Sequence, residues 1–203
     1  MESKEFLEKL NKLIGEPKCE LEYNPPYQLL VAVILSAQCT DKRVNLVTRE
    51  LFKLYDTPEK MPTLSQNELE KIIHSCGFYR NKAKNILAMS KALVERFDSQ
   101  VPSDLEKLQT LAGVGRKTAN VVFSEVFGGD AIAVDTHVLR VSNRLGFVKS
   151  NNPLKCELVL MDKFEKSLWG KLHLQLVHFG RYICKAQKPE CDKCPFVEIC
   201  TKK

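Results

Sequence analysis

No stretch of this 203-residue chain is apolar for long enough to cross a membrane. The longest uninterrupted run, Leu29 to Leu35, falls far short of the roughly 20 residues that a spanning helix needs. The first residues, Met1 to Phe6, are charged and helix-like, with neither the apolar core of a secretory leader nor Arg/Ser-rich transit character. Asn-Gly and Asp-Gly pairs are absent, as is any sustained alternation of apolar and polar residues, which argues against hairpins and half-buried strands. Internal repeats, low-complexity tracts and long linkers are also missing, so composition alone marks no domain boundary. The expectation is a cytoplasmic, all-α protein.

What is present fits that class. The length allows one large domain or two small ones, and 44% hydrophobic with 28% charged residues is ordinary for a globular chain. A net charge of +6 fits an acidic partner such as nucleic acid without requiring one. Phe6, Leu7, Leu10, Leu13 and Ile14 form one apolar helical stripe. The Leu29–Leu35 run follows Pro25-Pro26 and continues through Ser36-Ala37-Gln38, which favours helix over strand. Ser65-x-x-Glu68 and Ser103-x-x-Glu106 read as capping boxes. Residues 79–97 and 153–166 have amphipathic helical spacing.

Eight cysteines divide into two sets. Cys19, Cys39, Cys76 and Cys156 are scattered singly, like reduced core or surface thiols. Cys184, Cys191, Cys194 and Cys200 are gathered as C-x6-C-x2-C-x5-C, a set of soft ligands suited to a metal. Zinc usually takes two C-x2-C hooks, or one hook with two histidines. Here there is one hook, and no His between Cys184 and the end. Looser thiolate spacing suits a 4Fe-4S cluster; a four-cysteine zinc site or two disulfides are the alternatives.

A second motif runs from Leu108 to Val122. A helix ends near Gln109, Gly113 and Gly115 make a tight turn, and another helix starts near Arg116 or Lys117. Glycines let successive N–H groups of Gly113, Val114 and Gly115 turn outward, and with the positive end of the second helix these form a phosphate receptor. The nucleotide-binding glycine loops do not fit: neither their glycine positions nor a preceding strand is present. A plain helix–helix turn is the simpler alternative. Lys117 falls in the first turn of the second helix, where the helix dipole disfavours a cation and favours the neutral, nucleophilic amine. A phosphate-binding surface lysine is the alternative. Asp135, in Ala133-Val-Asp-Thr-His-Val-Leu-Arg140, reads as a helix N-cap whose fixed carboxylate is also available for catalysis.

Together these segments resemble the endonuclease III family of helix–hairpin–helix DNA glycosylases. The resemblance rests on L-A-G-V-G-R-K-T-A-N-V-V, A-V-D-T-H-V-x-R, the four-cysteine spacing and L-L-V-A-V-I-L-S-A-Q-C-T-D, spanning about Leu29 to Cys200. It implies two helical domains with the active-site cleft between them: a six-helix barrel over 20–130, and a cluster domain from 1–19 and 131–203. It implies a 4Fe-4S cluster on Cys184, Cys191, Cys194 and Cys200, which staples a segment poor in apolar residues. The implied activity is that of a bifunctional glycosylase and abasic-site lyase for oxidised or ring-saturated pyrimidines. Lys117 would be the nucleophile and Asp135 its assistant, acting on double-stranded DNA as a monomer. Gln38 would fill the space of the extruded base and Phe78 would wedge the duplex, while Arg181, Lys185 and Lys188 would touch phosphate. Phe78 stands where Leu is commoner, with a core aromatic as the alternative, and Ala112 replaces the usual Pro. The competing functions are a mismatch glycosylase lacking the lysine chemistry and a non-enzymatic DNA-binding redox module; the first is disfavoured by Lys117, and the second leaves that lysine without a task.

Overall fold

A computed structural model of the chain describes residues 2–201. Among these, all regular structure is helical, and the chain divides into two compact units: residues up to Lys18 with Gly128 onward, and Cys19–Phe127.

The Cys19–Phe127 unit is built round α2 (Pro26–Ser36), which Pro26 starts by supplying a preset φ and no surplus N–H. Leu29, Leu30, Val31, Ala32, Val33, Ile34 and Leu35 are all buried. A helix apolar on every side must be surrounded, and α3 (Asp41–Leu51), α5 (Tyr79–Arg96) and α7 (Arg116–Phe127) pack against it. The helix stops at Ser36 rather than running through Gln38, whose φ of 52° no α-helix accepts. Ser65 and Glu68 form the expected reciprocal cap of α4 (Gln66–Ile73). The second expected box is different: α6 (Leu105–Gln109) is capped by Asp104, whose carboxylate accepts from the Lys107 amide, so Ser103 lies outside it. A carboxylate one residue later meets the same orphan donors and takes over the role.

The other unit joins α1 (Ser3–Ile14) to α8 (Thr136–Arg144), α9 (Pro153–Lys163) and α10 (Trp169–Tyr182). Helix α9 ends three residues earlier than the apolar spacing suggested, because Phe164 is extended and its buried ring turns into the core. From the apolar stripe of α1, Phe6 and Leu10 are fully buried. The Phe6 ring meets Phe147 edge-on at 4.9 Å and Phe196 at 4.8 Å, offset geometries that suit ring quadrupoles. Helices α8 and α10 pack so closely that a Cβ on Gly180 would lie 2.9 Å from His137 Cβ and 3.3 Å from its Cα. The Gly180→Ala change should therefore lower stability by about 1–2 kcal/mol, the overpacking cost exceeding the gain in helix propensity. A urea midpoint that rose instead would show that the helices separate freely.

Candidate functional site

The hairpin follows from two anchors and one obligatory glycine. Leu111 and Val114 are buried, pinning the turn to the core. Gly113 has φ of 77°, and a Cβ there would sit 2.9 Å from Asn85 Cβ on α5, so conformation and space both require glycine. The Val114 amide donates to Leu111 O at 3.1 Å. It closes the turn, so the outward-facing donors are expected from Gly113 and Gly115 rather than from all three residues. Helix α7 then begins at Arg116, burying Ala119, Asn120 and Val122 while Lys117, in its first turn, is exposed to solvent.

Gln38 and Phe78 come together although they are far apart in sequence. A Cβ on Gly77 would lie 3.7 Å from Gln38 O, so the two backbone segments are adjacent. Both Gln38 (φ 52°) and Phe78 (φ 57°) adopt the left-handed conformation, which costs a non-glycine residue on the order of 1–3 kcal/mol. Phe78 is 64% exposed, which removes the core-aromatic reading. The support beneath them is Lys82, which belongs to none of the motifs described above. It is 5% exposed, and its Nζ donates to Leu35 O at 2.8 Å and Ala37 O at 2.7 Å, the orphan carbonyls at the end of α2. Burial pushes its pKa down, with the Cys76 and Cys39 thiols pulling the other way.

Asp135 is the N-cap of α8. Its Oδ1 accepts from the amides of His137 and Val138, both at 2.8 Å, so the cap does not use the second oxygen. Lys117 and Asp135 lie in different units. The same helix reaches the cysteine loop through two arginines. Arg140 donates to Gly180 O at 2.8 Å and Cys184 O at 3.1 Å. Arg144 donates to Lys185 O at 2.7 Å, Ala186 O at 3.1 Å and Cys184 Sγ at 3.3 Å. Arg140 belongs to the quoted Ala133–Arg140 motif, and Arg144 follows one turn later; that spacing was the available signal.

Cys184, Cys191, Cys194 and Cys200 line one cavity of about 430 Å³, with Leu145, Phe179, Ile183 and Val197 among its apolar walls. Burial first, then the neighbouring Cys184, Cys200 and Cys191 thiols, raise the Cys194 thiol above its usual range. Ionised together, such thiolates require a positively charged centre. Among the described residues no three His, Cys, Asp or Glu side chains converge on a single-ion site. Four soft thiolates around one cavity fit a thiolate-bound metal group. The loop is less poor in apolar anchors than expected: Phe196 is fully buried against Phe6 and Phe179. Arg181 is part-buried and Lys188 is exposed. Lys185 is engaged with Glu190 at 2.6 Å, so any phosphate must compete for it.

The class defined by an all-helical chain with this hairpin is matched directly. The pattern of the HhH-GPD superfamily base excision DNA repair protein family covers residues 31–166. Endonuclease III of Bacillus subtilis (strain 168) is 49% identical over 195 residues, covering 96% of this chain and 89% of that one. The Rickettsia conorii protein of the same name is 50% identical over 184 residues, covering 91% and 88%. A trapped endonuclease III–DNA covalent intermediate superposes with a TM-score of 0.94 at 46% identity, covering 99% of this chain and 97% of that one. A non-covalent endonuclease III–DNA complex gives 0.95 at 47%, covering 98% and 93%. This chain belongs to the endonuclease III family. Among the described residues no helix is long and apolar enough to cross a membrane.

The Glu190 carboxyl, hydrogen-bonded by Lys185 and then Lys193, is held down to about 2 from an ordinary 4.5. Since the folded value is the lower one, its contribution is complete above 4.5 and is lost as pH falls towards 2. An NMR titration of Glu190 Cδ should place its midpoint well below 4.5 and move it back up with added salt, because the group is exposed. A salt-independent midpoint at the ordinary value would remove the clamp on Lys185.

Proposed function

We propose that this chain is a bifunctional DNA N-glycosylase and abasic-site lyase of base excision repair. Its substrate class is double-stranded DNA carrying oxidised or ring-saturated pyrimidines, or abasic sites. The observation that carries this reading is Lys117, exposed in the first turn of α7 beside the glycine turn, in a chain 46% identical to one whose DNA complex is a trapped covalent intermediate.

The lesion must leave the base stack, at a cost of a few kcal/mol that is smallest for damaged, poorly stacked bases. Phe78, exposed and held in a strained conformation, wedges the duplex, and Gln38 fills the vacated position. The amides of Gly113 and Gly115 take a backbone phosphate at the start of α7. The neutral Nζ of Lys117 attacks C1′. The C1′–N bond breaks, and the bonding pair leaves with the base. Asp135 accepts the proton from the attacking amine and stabilises positive charge on the sugar through its carboxylate. Ring opening gives an imine between Nζ and C1′. Loss of a C2′ proton then expels the 3′ phosphate, breaking the C3′–O bond and nicking the strand.

Cys184, Cys191, Cys194 and Cys200 hold a 4Fe-4S cluster, which when bound supplies four iron–thiolate bonds that fix the loop. Arg181, in the last turn of α10, and Lys185 and Lys188, on that loop, face phosphate. In this reading residues 20–130 are the barrel domain, and 1–19 with 131–203 are the cluster domain. The protein acts as a cytoplasmic, nucleoid-associated monomer.

Borohydride should trap the protein covalently on abasic-site duplex, and Lys117→Gln should abolish trapping; trapping that persists in the variant would move the nucleophile elsewhere. Asp135→Asn should slow base release by roughly 10²–10⁴-fold while DNA affinity stays nearly constant. Equal losses in both would reduce Asp135 to its cap. The purified protein should be yellow-brown, absorbing near ~400 nm from thiolate–iron charge transfer; a colourless protein with stoichiometric zinc would contradict the cluster.

A further inference from the structure

Two of the four scattered cysteines are neighbours in space. Cys39 and Cys76 belong to two different loops, yet the Cys39 thiol acts electrostatically on Cys76. The flanking geometry agrees: Gly77, next to Cys76, approaches Gln38 O, next to Cys39, and the Lys82 ammonium that binds Ala37 O also acts on both sulfurs. The two thiols therefore sit directly behind Gln38 and Phe78. Their surroundings differ. Cys39 is part-exposed and Cys76 is fully buried. Burial, and then Cys39, push the Cys76 thiol up to about 11, which makes it the poorer attacking group.

We propose that Cys39 and Cys76 are a reversible redox pair, closed by a low-molecular-weight disulfide into an intramolecular disulfide that ties the Gln38 segment to the Phe78 segment. The Cys39 thiolate attacks one sulfur of the small disulfide, releasing one small thiol and forming a mixed disulfide. The Cys76 sulfur, giving up its proton, then displaces the second small thiol. Two protein thiols are oxidised and one small disulfide is reduced to two thiols. The consequence rests on the function proposed above: segments that must enter a duplex are cross-linked at their base, and strand opening slows.

The test uses the cluster-containing protein, oxidised glutathione as the probe, and an alkylating quench. The expected product has lost the mass of two hydrogens, with the cross-link mapped to Cys39–Cys76 and absorbance near ~400 nm unchanged. Cys76→Ala should stop at one glutathione on Cys39, and Cys39→Ser should leave Cys76 unmodified. A persistent glutathione adduct on Cys39 of the unmutated protein, or a cross-link elsewhere, would overturn the pair. Cyanoborohydride, which reduces imines and spares disulfides, should trap the protein on abasic duplex roughly tenfold more slowly after oxidation, about 1.4 kcal/mol of barrier. Reductant should restore it, and Cys39→Ser should be insensitive to the oxidant. An unchanged rate in the cross-linked protein would overturn the coupling to strand opening. Failure of the reduced protein to trap at all would instead count against the lyase function.

Discussion

A helix that is apolar on every side can exist in water only inside a ring of other helices, and α2 imposes that condition on the Cys19–Phe127 unit. Two of the three helices packed against it carry a piece of the candidate site. Helix α7 turns Ala119 and Val122 inward and so sets Lys117 outward. Helix α5 begins immediately after Phe78 and places Asn85 under Gly113. The end of α2 itself leads into Gln38. Removing α2's neighbours from water is thus the same act as positioning the groups proposed to meet DNA.

That arrangement is finished by buried polar groups rather than by more hydrophobic area. Lys82 is a buried ammonium, and burial alone would make it costly. Its hydrogen bonds to Leu35 O and Ala37 O satisfy carbonyls that α2 leaves unpaired, and they hold the chain where it turns into a left-handed residue. Helix α8 does comparable work in the other unit. Asp135 binds the amides at one end, while Arg140 and Arg144 bind carbonyls of the cysteine loop at the other. One short helix thereby joins the proposed catalytic carboxylate to the loop proposed to hold the cluster.

Local chemistry made much of this legible. The Leu29–Leu35 run, the Ser65–Glu68 cap, the Asp135 cap and the glycine turn depend on contacts within a few residues, and each has the form its sequence suggested. The departures have one local and one distant origin. Asp104 displaced Ser103 because two adjacent residues offered the same donors an acceptor, and α2 ended early because Lys82, far along the chain, captured its carbonyls.

By itself the sequence determined which segments are helical, where glycine is unavoidable and which four thiols lie within one loop, since each is decided by spacing along the chain. Only the tertiary structure decided that Lys82 is buried, that Phe78 is exposed, that Arg140 and Arg144 hold the cysteine loop, and that the Cys39 and Cys76 segments lie side by side. Those outcomes join residues distant in sequence. A lysine, a phenylalanine or a cysteine carries no local mark of which helix will close over it.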